Sequence, residues 1–263
     1  MGRLRVWAVV LYGAFGMVSN VGAQVSPLNL SPGFPTQLDD AYPVNQHAVV
    51  IQPAIRFDKT ASGDGRGRQT IDVRWGVGAG TELFVGGTGV RGPLEPGTMD
   101  DPRAIRAGLL YRFTRQQGPG GLEPSLAVRT TVQVPISGPG SNPALRAELL
   151  SSWDLTSGWF SHTNVGYQVV PGGQPGLQSS GVNGVWFMRS GFVKALWYDI
   201  GMVANVNYSQ NPNQLGGYVL TPEVGFMWSI AQEWILTCGG GRDFGGGTTE
   251  ATMRANLGLS WVW

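Results

Sequence analysis

The amino-acid sequence predicts an all-β protein: a transmembrane, antiparallel, up-and-down β-barrel of about 12 strands. Three observations predict this fold class. Apolar and polar residues alternate with a period of two along most of the chain, the connections between alternating segments are long and short in turn, and charged residues make up only 13% of the 263 residues. An ordinary soluble domain carries about 25% charged residues. Apolar residues are only 42% of the chain, so the low charge does not come from an unusually apolar composition.

The first segment has the composition of a secretory signal peptide. Arg3 and Arg5 precede an apolar stretch that runs to Val18, and small residues follow as far as Ala23, as at a signal-peptidase site. We expect residues 1–23 to be removed as the signal peptide. Residues 24–46 are then an N-terminal segment at the periplasmic mouth or in the lumen, and a flexible leader of no function is the alternative. Residues 47–263 form the barrel.

The strands are predicted from segments in which every second residue is apolar. The last segment is the clearest, because Met253 and every second residue to Trp263 is apolar, and the residues between them are polar or small. Eight earlier segments repeat this pattern: 49–57, 71–77, 105–113, 126–134, 145–149, 159–169, 200–208 and 218–228. Weaker segments at 81–89, 183–195 and 233–241 bring the count to twelve, with ten and fourteen as alternatives. Glycine, at 41 residues, disfavours helices throughout.

The connections give an independent test of the barrel. Those after the odd-numbered strands are long and rich in Gly, Pro, Ser, Asn and Asp, and the others are short except for residues 115–122. Outer-membrane barrels alternate in this way, with long loops outside and short turns in the periplasm. The alternative is a soluble β protein, in which the same apolar face would be the core.

The charges decide which face meets lipid. The apolar face carries no charge except Lys194, whose stem can extend to a membrane interface. An Arg or Lys that faced the middle of the bilayer would cost about 2–4 kcal/mol. We therefore expect the protein in the outer membrane of a Gram-negative bacterium, with the apolar face against lipid.

The polar face of the strands is expected to line the lumen. Its charged residues are seven arginines and three acids: Arg56, Asp72, Arg74, Arg106, Arg112, Arg129, Arg146, Glu148, Glu223 and Arg254. One interpretation is an anion-favouring lumen that binds carboxylated solutes. The other is a set of internal ion pairs that fill and rigidify a narrow barrel, with Arg146 and Glu148 as an example.

The residues after the signal peptide resemble one protein family. The stretch from Ser26 to Pro43 reads SPLNLSPGFPTQLDDAYP, and Ile51-Gln52-Pro53 and Arg56-Phe57-Asp58 follow it. This resembles the outer-membrane proteins grouped as the meta-pathway-of-phenol-degradation family, which are often labelled transporters. The resemblance implies a barrel that passes small molecules, hydrophobic or aromatic ones among them. We therefore expect a channel or transporter and not an enzyme.

Two other functions stay open. One is a lipid hydrolase, because Ser161-His162-Thr163-Asn164 resembles in outline the histidine strand of lipid A deacylases. Ser161 is adjacent to His162, however, and adjacent strand residues point to opposite faces. The other is a structural barrel with a plugged lumen. No phosphate loop is expected, since the glycine runs at 239–241 and 245–247 lack the Lys and the Ser or Thr that such a loop needs.

The expected partners follow from the same residues. The chain ends on Trp261 and Trp263, on one face of the last strand, which is similar to the terminal aromatic signal that the barrel assembly machinery recognises. Outer-membrane lipids and an unidentified small solute complete the partners, and we expect a monomer. Positive and negative charges nearly balance, so nucleic acid is not an expected partner. Two histidines and one cysteine are too few for a usual His/Cys metal site, and no cofactor is expected.

Overall fold

A computed structural model describes residues 30, 34–59, 65–91, 103–136, 142–169, 184–210, 217–246 and 252–263. The expected signal peptide, residues 24–29 and parts of the long loops lie outside these ranges. The strands are β1 (Val49–Lys59), β2 (Gly65–Gly78), β3 (Thr81–Arg91), β4 (Ala104–Thr114), β5 (Ser125–Pro135), β6 (Ala144–Thr156), β7 (Trp159–Val169), β8 (Gly184–Ala195), β9 (Ile200–Gln210), β10 (Tyr218–Ala231), β11 (Trp234–Arg242), β12 (Phe244–Gly246) and β13 (Met253–Val262).

These strands close into an antiparallel barrel. Consecutive strands from β1 to β11 pair with each other, and β13 pairs with both β11 and β1. The short β12 continues β11 beyond Asp243 and pairs with the same strand, β10, so the barrel wall has twelve strands. At the seam, Val49 and Trp263 exchange two backbone hydrogen bonds of 2.9 Å. The prediction of a twelve-stranded barrel is confirmed. Within the described residues, no helix is long and apolar enough to span a membrane.

The outer face of the barrel carries the alternating apolar residues. Ile71, Trp75, Leu109 and Val132 are among its exposed side chains, and an exposed apolar belt of this kind is the surface that lipid covers. The segments that alternate weakly are also strands, as β3, β8 and β11. Lys194 lies at the end of β8, where its Nζ donates a 2.6 Å hydrogen bond to the Ser157 carbonyl.

The barrel end that carries the short turns also carries the start of β1 and Trp263, and it faces the periplasm in barrels of this class. The turns at Ala79-Gly80 and Ser157-Gly158 connect strands there. The longer connection 115–124 is folded back on the wall, because the Gln116 side chain bonds both the N–H and the carbonyl of Asp154, at 2.6 and 2.8 Å. This explains how an unusually long connection fits among short turns.

Residues 34–46, which we name the inner segment, lie inside the barrel. Their partners lie on strands all round the wall, from Glu82 on β3 to Asn256 on β13. Only a chain enclosed by the wall can reach all of these strands.

Two glycines leave room for the backbone of the inner segment. A Cβ atom on Gly239 would lie 2.2 Å from the Pro35 carbonyl oxygen, and one on Gly76 would lie 2.0 Å from the Asn45 carbonyl oxygen. Real Cβ contacts are never this short, so both positions require glycine while the segment is in place. At Gly239 and Gly76, glycine therefore allows close backbone approach.

The interior has two layers. Toward the periplasmic end, Leu30 and Leu38 pack in a buried apolar cluster with inward residues of four strands, Val193, Val203, Met227 and Ile235. Ala41 packs in a second cluster with Leu110, Ala127 and Leu150. Toward the outer end, the inward residues are mostly charged. The inner segment thus covers the apolar layer and forms the floor of the charged one.

The substitution Gly239→Ala tests whether the inner segment packs against β11 at Gly239. Its Cβ would displace Pro35, and overpacking of this kind costs about 1–3 kcal/mol. We expect protease to cleave the inner segment about ten times faster, or more, in the purified variant, because cleavage follows local opening.

The matched control is Gly87→Ala, since a Cβ at Gly87 meets no atom within 4 Å. Both variants should keep the heat-dependent gel shift of a folded barrel. Equal cleavage rates in the two variants would contradict this placement of the inner segment.

Candidate functional site: the charged lumen above the inner segment

A cavity of about 170 Å³ lies in the outer layer of the barrel interior. Gln37 and Asp39 of the inner segment are part of its lining, and Phe84 adds an aromatic face. Its charged lining residues are Arg56, Arg68, Arg74, Arg106, Arg129, Arg146, Arg189, Asp39, Asp72 and Glu148. A second cavity of about 240 Å³ shares Gln37, Arg56 and Arg189 with the first and is also lined by Asp243 and Arg254. Together they form a charged chamber above the inner segment.

Ion pairs within one strand and between different strands organise much of this chamber. Arg74 contacts Glu82 through two hydrogen bonds of 2.9 and 2.8 Å. Arg106 donates from Nε to Asp72 Oδ1 at 3.0 Å. Arg56 donates to Asp58 at 2.6 Å. Buried pairs of this kind need all their hydrogen bonds, because desolvation of the charges is costly.

A second group of charges surrounds Glu148. Arg146 on the same strand donates to Glu148 Oε1 at 2.6 Å, and Arg189 on β8 lies 3.2 Å from the same oxygen. Both guanidinium groups also lie over the Phe187 ring, at 4.3 and 4.4 Å from its centroid. Cation–π contacts of this kind hold the two arginines in place.

The remaining expected lumen residues have separate positions. Arg254 pairs with Asp243 and lies 3.6 Å from Glu223. Glu223 accepts hydrogen bonds from the inner segment and from Asn207. Arg112 lines neither cavity. It lies close to a periplasmic turn, where its backbone N–H donates a 2.8 Å hydrogen bond to the Gly80 carbonyl.

Sequence reasoning missed several acidic residues of the interior. Asp58 lies just beyond the predicted segment 49–57 but belongs to β1, and Glu82 lies on a strand whose alternation is weak. Asp243 lies between β11 and β12, and Asp39 lies in the inner segment. The count of seven arginines against three acids therefore overstated the arginine excess. Over the ten charged residues that line the first cavity, seven arginines still face three acids. Glu82 and Asp58, which pair with Arg74 and Arg56, reduce this excess.

Side chains supply the hydrogen bonds of the inner segment. The backbone N–H groups of Gln37, Asp39, Ala41 and Val44 donate to wall side chains at 2.7 to 2.9 Å. The acceptors are Glu223, Asn164, Ser152 and Glu82. Asn164 also returns a 2.9 Å bond from Nδ2 to the Asp39 carbonyl. In addition, the Asp39 carboxylate forms a buried ion pair with Arg129 of β5.

A serine does contact His162, although it is not Ser161. Ser152 faces His162 across the β6–β7 pairing, and its Oγ lies 2.8 Å from Nδ1. The pair lies beneath the inner segment, and both side chains are buried. Ser152 Oγ also accepts the N–H of Ala41. The geometry therefore shows a hydrogen-bonded anchor for Ala41 without substrate access, which does not favour the hydrolase alternative.

No group of three or more His, Cys, Asp or Glu side chains that could hold a metal ion is present among the described residues. Arginine and amide side chains dominate the chamber wall, and these groups donate hydrogen bonds to anionic or polar molecules. The chamber can therefore bind small polar molecules by hydrogen bonds and charge.

Comparison with solved structures decides the fold class. The chain aligns with an outer membrane channel from Pseudomonas putida F1 over 89% of this chain and 100% of that one, at 11% identity and a TM-score of 0.62. The present chain is therefore an outer-membrane β-barrel. The NanC porin aligns over 80% of this chain and 98% of its own, at 9% identity and a TM-score of 0.61. A KdgM porin solved with disordered oligogalacturonate aligns over 81% of this chain and 98% of its own, at 11% identity and a TM-score of 0.54.

These identities are low, so the likeness to the porins concerns the fold. No protein family and no curated protein matches the sequence. The chain is thus an outer-membrane β-barrel with a porin-like architecture, and its lumen is where function has to be sought.

Asp40 of the inner segment is a completely buried carboxyl group, and we expect it to make the stability of the folded protein depend on pH. Complete burial raises its pKa from 3.8 to about 7, against the lowering effect of Arg74 and of the N–H groups of Tyr42 and Leu30. The folded protein therefore holds a proton that an unfolded chain has lost between these two pH values. Stability from this group is fully present below pH 4 and is lost as the pH rises to about 7.

We expect the wild-type protein to lose stability relative to Asp40→Asn between pH 5 and pH 7, by about 1.4 kcal/mol per pH unit. Above pH 8 the difference between the two proteins should be constant. Unfolding midpoints in detergent, measured for both proteins over this range, check it. Parallel pH profiles would show that Asp40 does not titrate differently on folding.

Proposed function

We propose that the protein is an outer-membrane channel or transporter for small molecules, in which the inner segment acts as a plug. The observation that carries this proposal is the chamber itself: two charged cavities share a floor, and that floor is a non-covalently held segment. A solute that enters from outside reaches Gln37 and Asp39 before it can go further. Passage then requires the inner segment to shift.

The structural barrel with a plugged lumen is the alternative. Stability alone would be served as well by apolar packing, because buried ion pairs often contribute little net stability. Here the apolar clusters occupy only the periplasmic layer, and the outer layer carries charged groups round a cavity. This division supports a site for solutes above the inner segment.

The charged wall favours polar and anionic solutes. The family that the N-terminal stretch resembles implies hydrophobic or aromatic solutes, and the apolar residues that line the first cavity are Phe84 and Ala144. Membership in that family remains a proposal, supported by residues 26–43 and by the first strand. The mainly polar lining is the reason to test charged solutes first.

The proposal includes how the protein reaches the membrane. Residues 1–23 direct export and are removed, residues 24–46 include the inner segment, and residues 47–263 form the barrel. The assembly machinery recognises the last strand through Trp261 and Trp263, whose rings stack at a centroid distance of 5.2 Å. The barrel then works as a monomer, and no part of it acts as an enzyme.

Deletion of residues 24–45 behind an intact signal peptide tests the proposal. Removing the floor of the chamber leaves a continuous path, so single-channel conductance and liposome swelling should both rise well above the values of the full chain. The full chain should give small or intermittent currents.

The control is Gly239→Ala, which loosens the inner segment and keeps it tethered, and it should give intermediate currents. Folding of every variant is checked by heat-dependent gel migration. A folded deletion variant that passes no current and no solute would favour the structural barrel.

A further inference from the structure

The strongest unexplained feature of the lumen is the guanidinium of Arg129. The residue is 2% exposed and lines the first cavity. Its Nη1 contacts the Asp39 carboxylate. Its Nε and Nη2 atoms are buried and have no hydrogen-bond partner among the described residues. A buried charged donor without a partner is costly, so this edge of the guanidinium calls for an acceptor.

The chemistry of that acceptor follows from the geometry of the edge. Nε and Nη2 lie on the same side of the planar group, and their two parallel N–H bonds match the two oxygens of a carboxylate. The third nitrogen, Nη1, already contacts a carboxylate, that of Asp39. The guanidinium thus contacts one carboxylate through Nη1, and the N–H groups of Nε and Nη2 can bind a second.

The surroundings of Arg129 also favour an anion. Arg146 and Arg189 are near enough to act electrostatically on Arg129, and Glu148 is the acidic group among them. Glu148 is already engaged by Arg146 and Arg189. Three guanidinium groups therefore share two carboxylates, Glu148 and Asp39, and one of these carboxylates belongs to the inner segment.

We propose that the chamber binds a small carboxylate anion at Arg129, and that Asp39 is a built-in competitor for this arginine. Nε and Nη2 are not exposed to solvent. A carboxylate bound there would repel the Asp39 carboxylate on Nη1, so the ligand binds more tightly as Asp39 withdraws. Binding of the anion and seating of the inner segment are then antagonistic. By linkage, whatever loosens the segment strengthens anion binding, and the reverse.

Neighbouring contacts limit how Asp39 can withdraw. Its backbone is held by Asn164 through the N–H and the carbonyl, each at 2.9 Å. Loss of the ion pair alone leaves these bonds in place, so the side chain can leave Arg129 before the segment leaves the wall. The anion therefore weakens the hold of the segment in a first step, and displacement of the backbone follows.

Binding of butyrate to the purified full-length protein in detergent tests this inference. The inference rests on the proposed function in one respect, namely that the bound anion is also a transported solute. Asp39→Asn removes the competing charge and keeps the size of the side chain. We expect calorimetry to show butyrate binding about tenfold tighter to this variant than to the wild type. Butyramide, which is neutral and of similar shape, should bind to neither.

Arg129→Lys keeps the positive charge but removes the paired donors, and it should weaken butyrate binding about tenfold. The matched control is Arg242→Met, since Arg242 is exposed at the end of β11 and contacts the Phe244 ring instead of the chamber. This control should bind butyrate as the wild type does. Asp39→Ser replaces Asp39→Asn if the latter loses its heat-dependent gel shift.

Unchanged affinity in Asp39→Asn, or retained affinity in Arg129→Lys, would overturn the inference, as would equal binding of butyramide. Inorganic phosphate that binds as tightly as butyrate would overturn the carboxylate class. Conductance distinguishes this result from the proposed function. Butyrate binding with the expected variant pattern, in a protein that passes no current after deletion of residues 24–45, would keep the site and reject the channel.

Discussion

The structure depends on one constraint: a peptide chain enclosed by a closed barrel has no strand edge with which to pair. Every wall strand already uses its backbone groups in the ladders, so the inner segment must find hydrogen bonds elsewhere. Buried N–H groups without partners would cost about 1–3 kcal/mol each. The wall therefore has to provide side-chain acceptors at matching positions.

The inner segment meets this constraint in two alternating ways. The N–H groups of residues 37, 39 and 41 donate to the wall, at Glu223, Asn164 and Ser152. The N–H groups of residues 38, 40 and 42 donate to side chains of the segment itself, at Thr36, Asp39 and Asp40. Short polar side chains commonly replace regular backbone pairing in this way. The Thr and Asp residues of the segment are therefore structural as well as polar.

The same constraint links the segment to the chamber. Glu82 and Glu223 accept N–H groups of the inner segment and also interact with Arg74 and Arg254 of the wall. A shift of the segment would therefore change the charge balance seen by a solute, and a bound solute would change the hold on the segment. In the proposed channel, this coupling would be the physical basis of a gated path. Such a path would need no large movement of the wall.

The period-two pattern was sufficient to predict the barrel, the outward face and most strand positions. Each outward residue, such as Trp75 or Val132, meets lipid regardless of its neighbours, so local sequence determines its role. The inward residues differ, because their partners depend on register. Ser152 contacts His162 only because β6 and β7 pair with these residues opposite each other, and no local pattern in the sequence indicates that contact.

Two features of the sequence did carry information about the inner segment. Segment 233–241 is apolar on both faces, and the structure shows why: Ile235 faces the lumen and packs with Leu30 and Leu38. The glycine run 239–241 is the second feature, because Gly239 lies where Pro35 approaches. Both features concern residues that face the inside of the barrel. They can be interpreted only once the inner segment is known to lie there.

The inner segment lies inside the barrel, where it can close the lumen. Thr36 is completely buried, whereas Leu122 in the connection 115–124 is 93% exposed. With Cys238 replaced by Ser, Thr36→Cys and Leu122→Cys each provide a single thiol for a bulky maleimide reagent. In the folded protein we expect Leu122→Cys to react rapidly and Thr36→Cys to react only after heat denaturation. Equally fast labelling of both thiols in a barrel that still shows the heat-dependent gel shift would contradict the account.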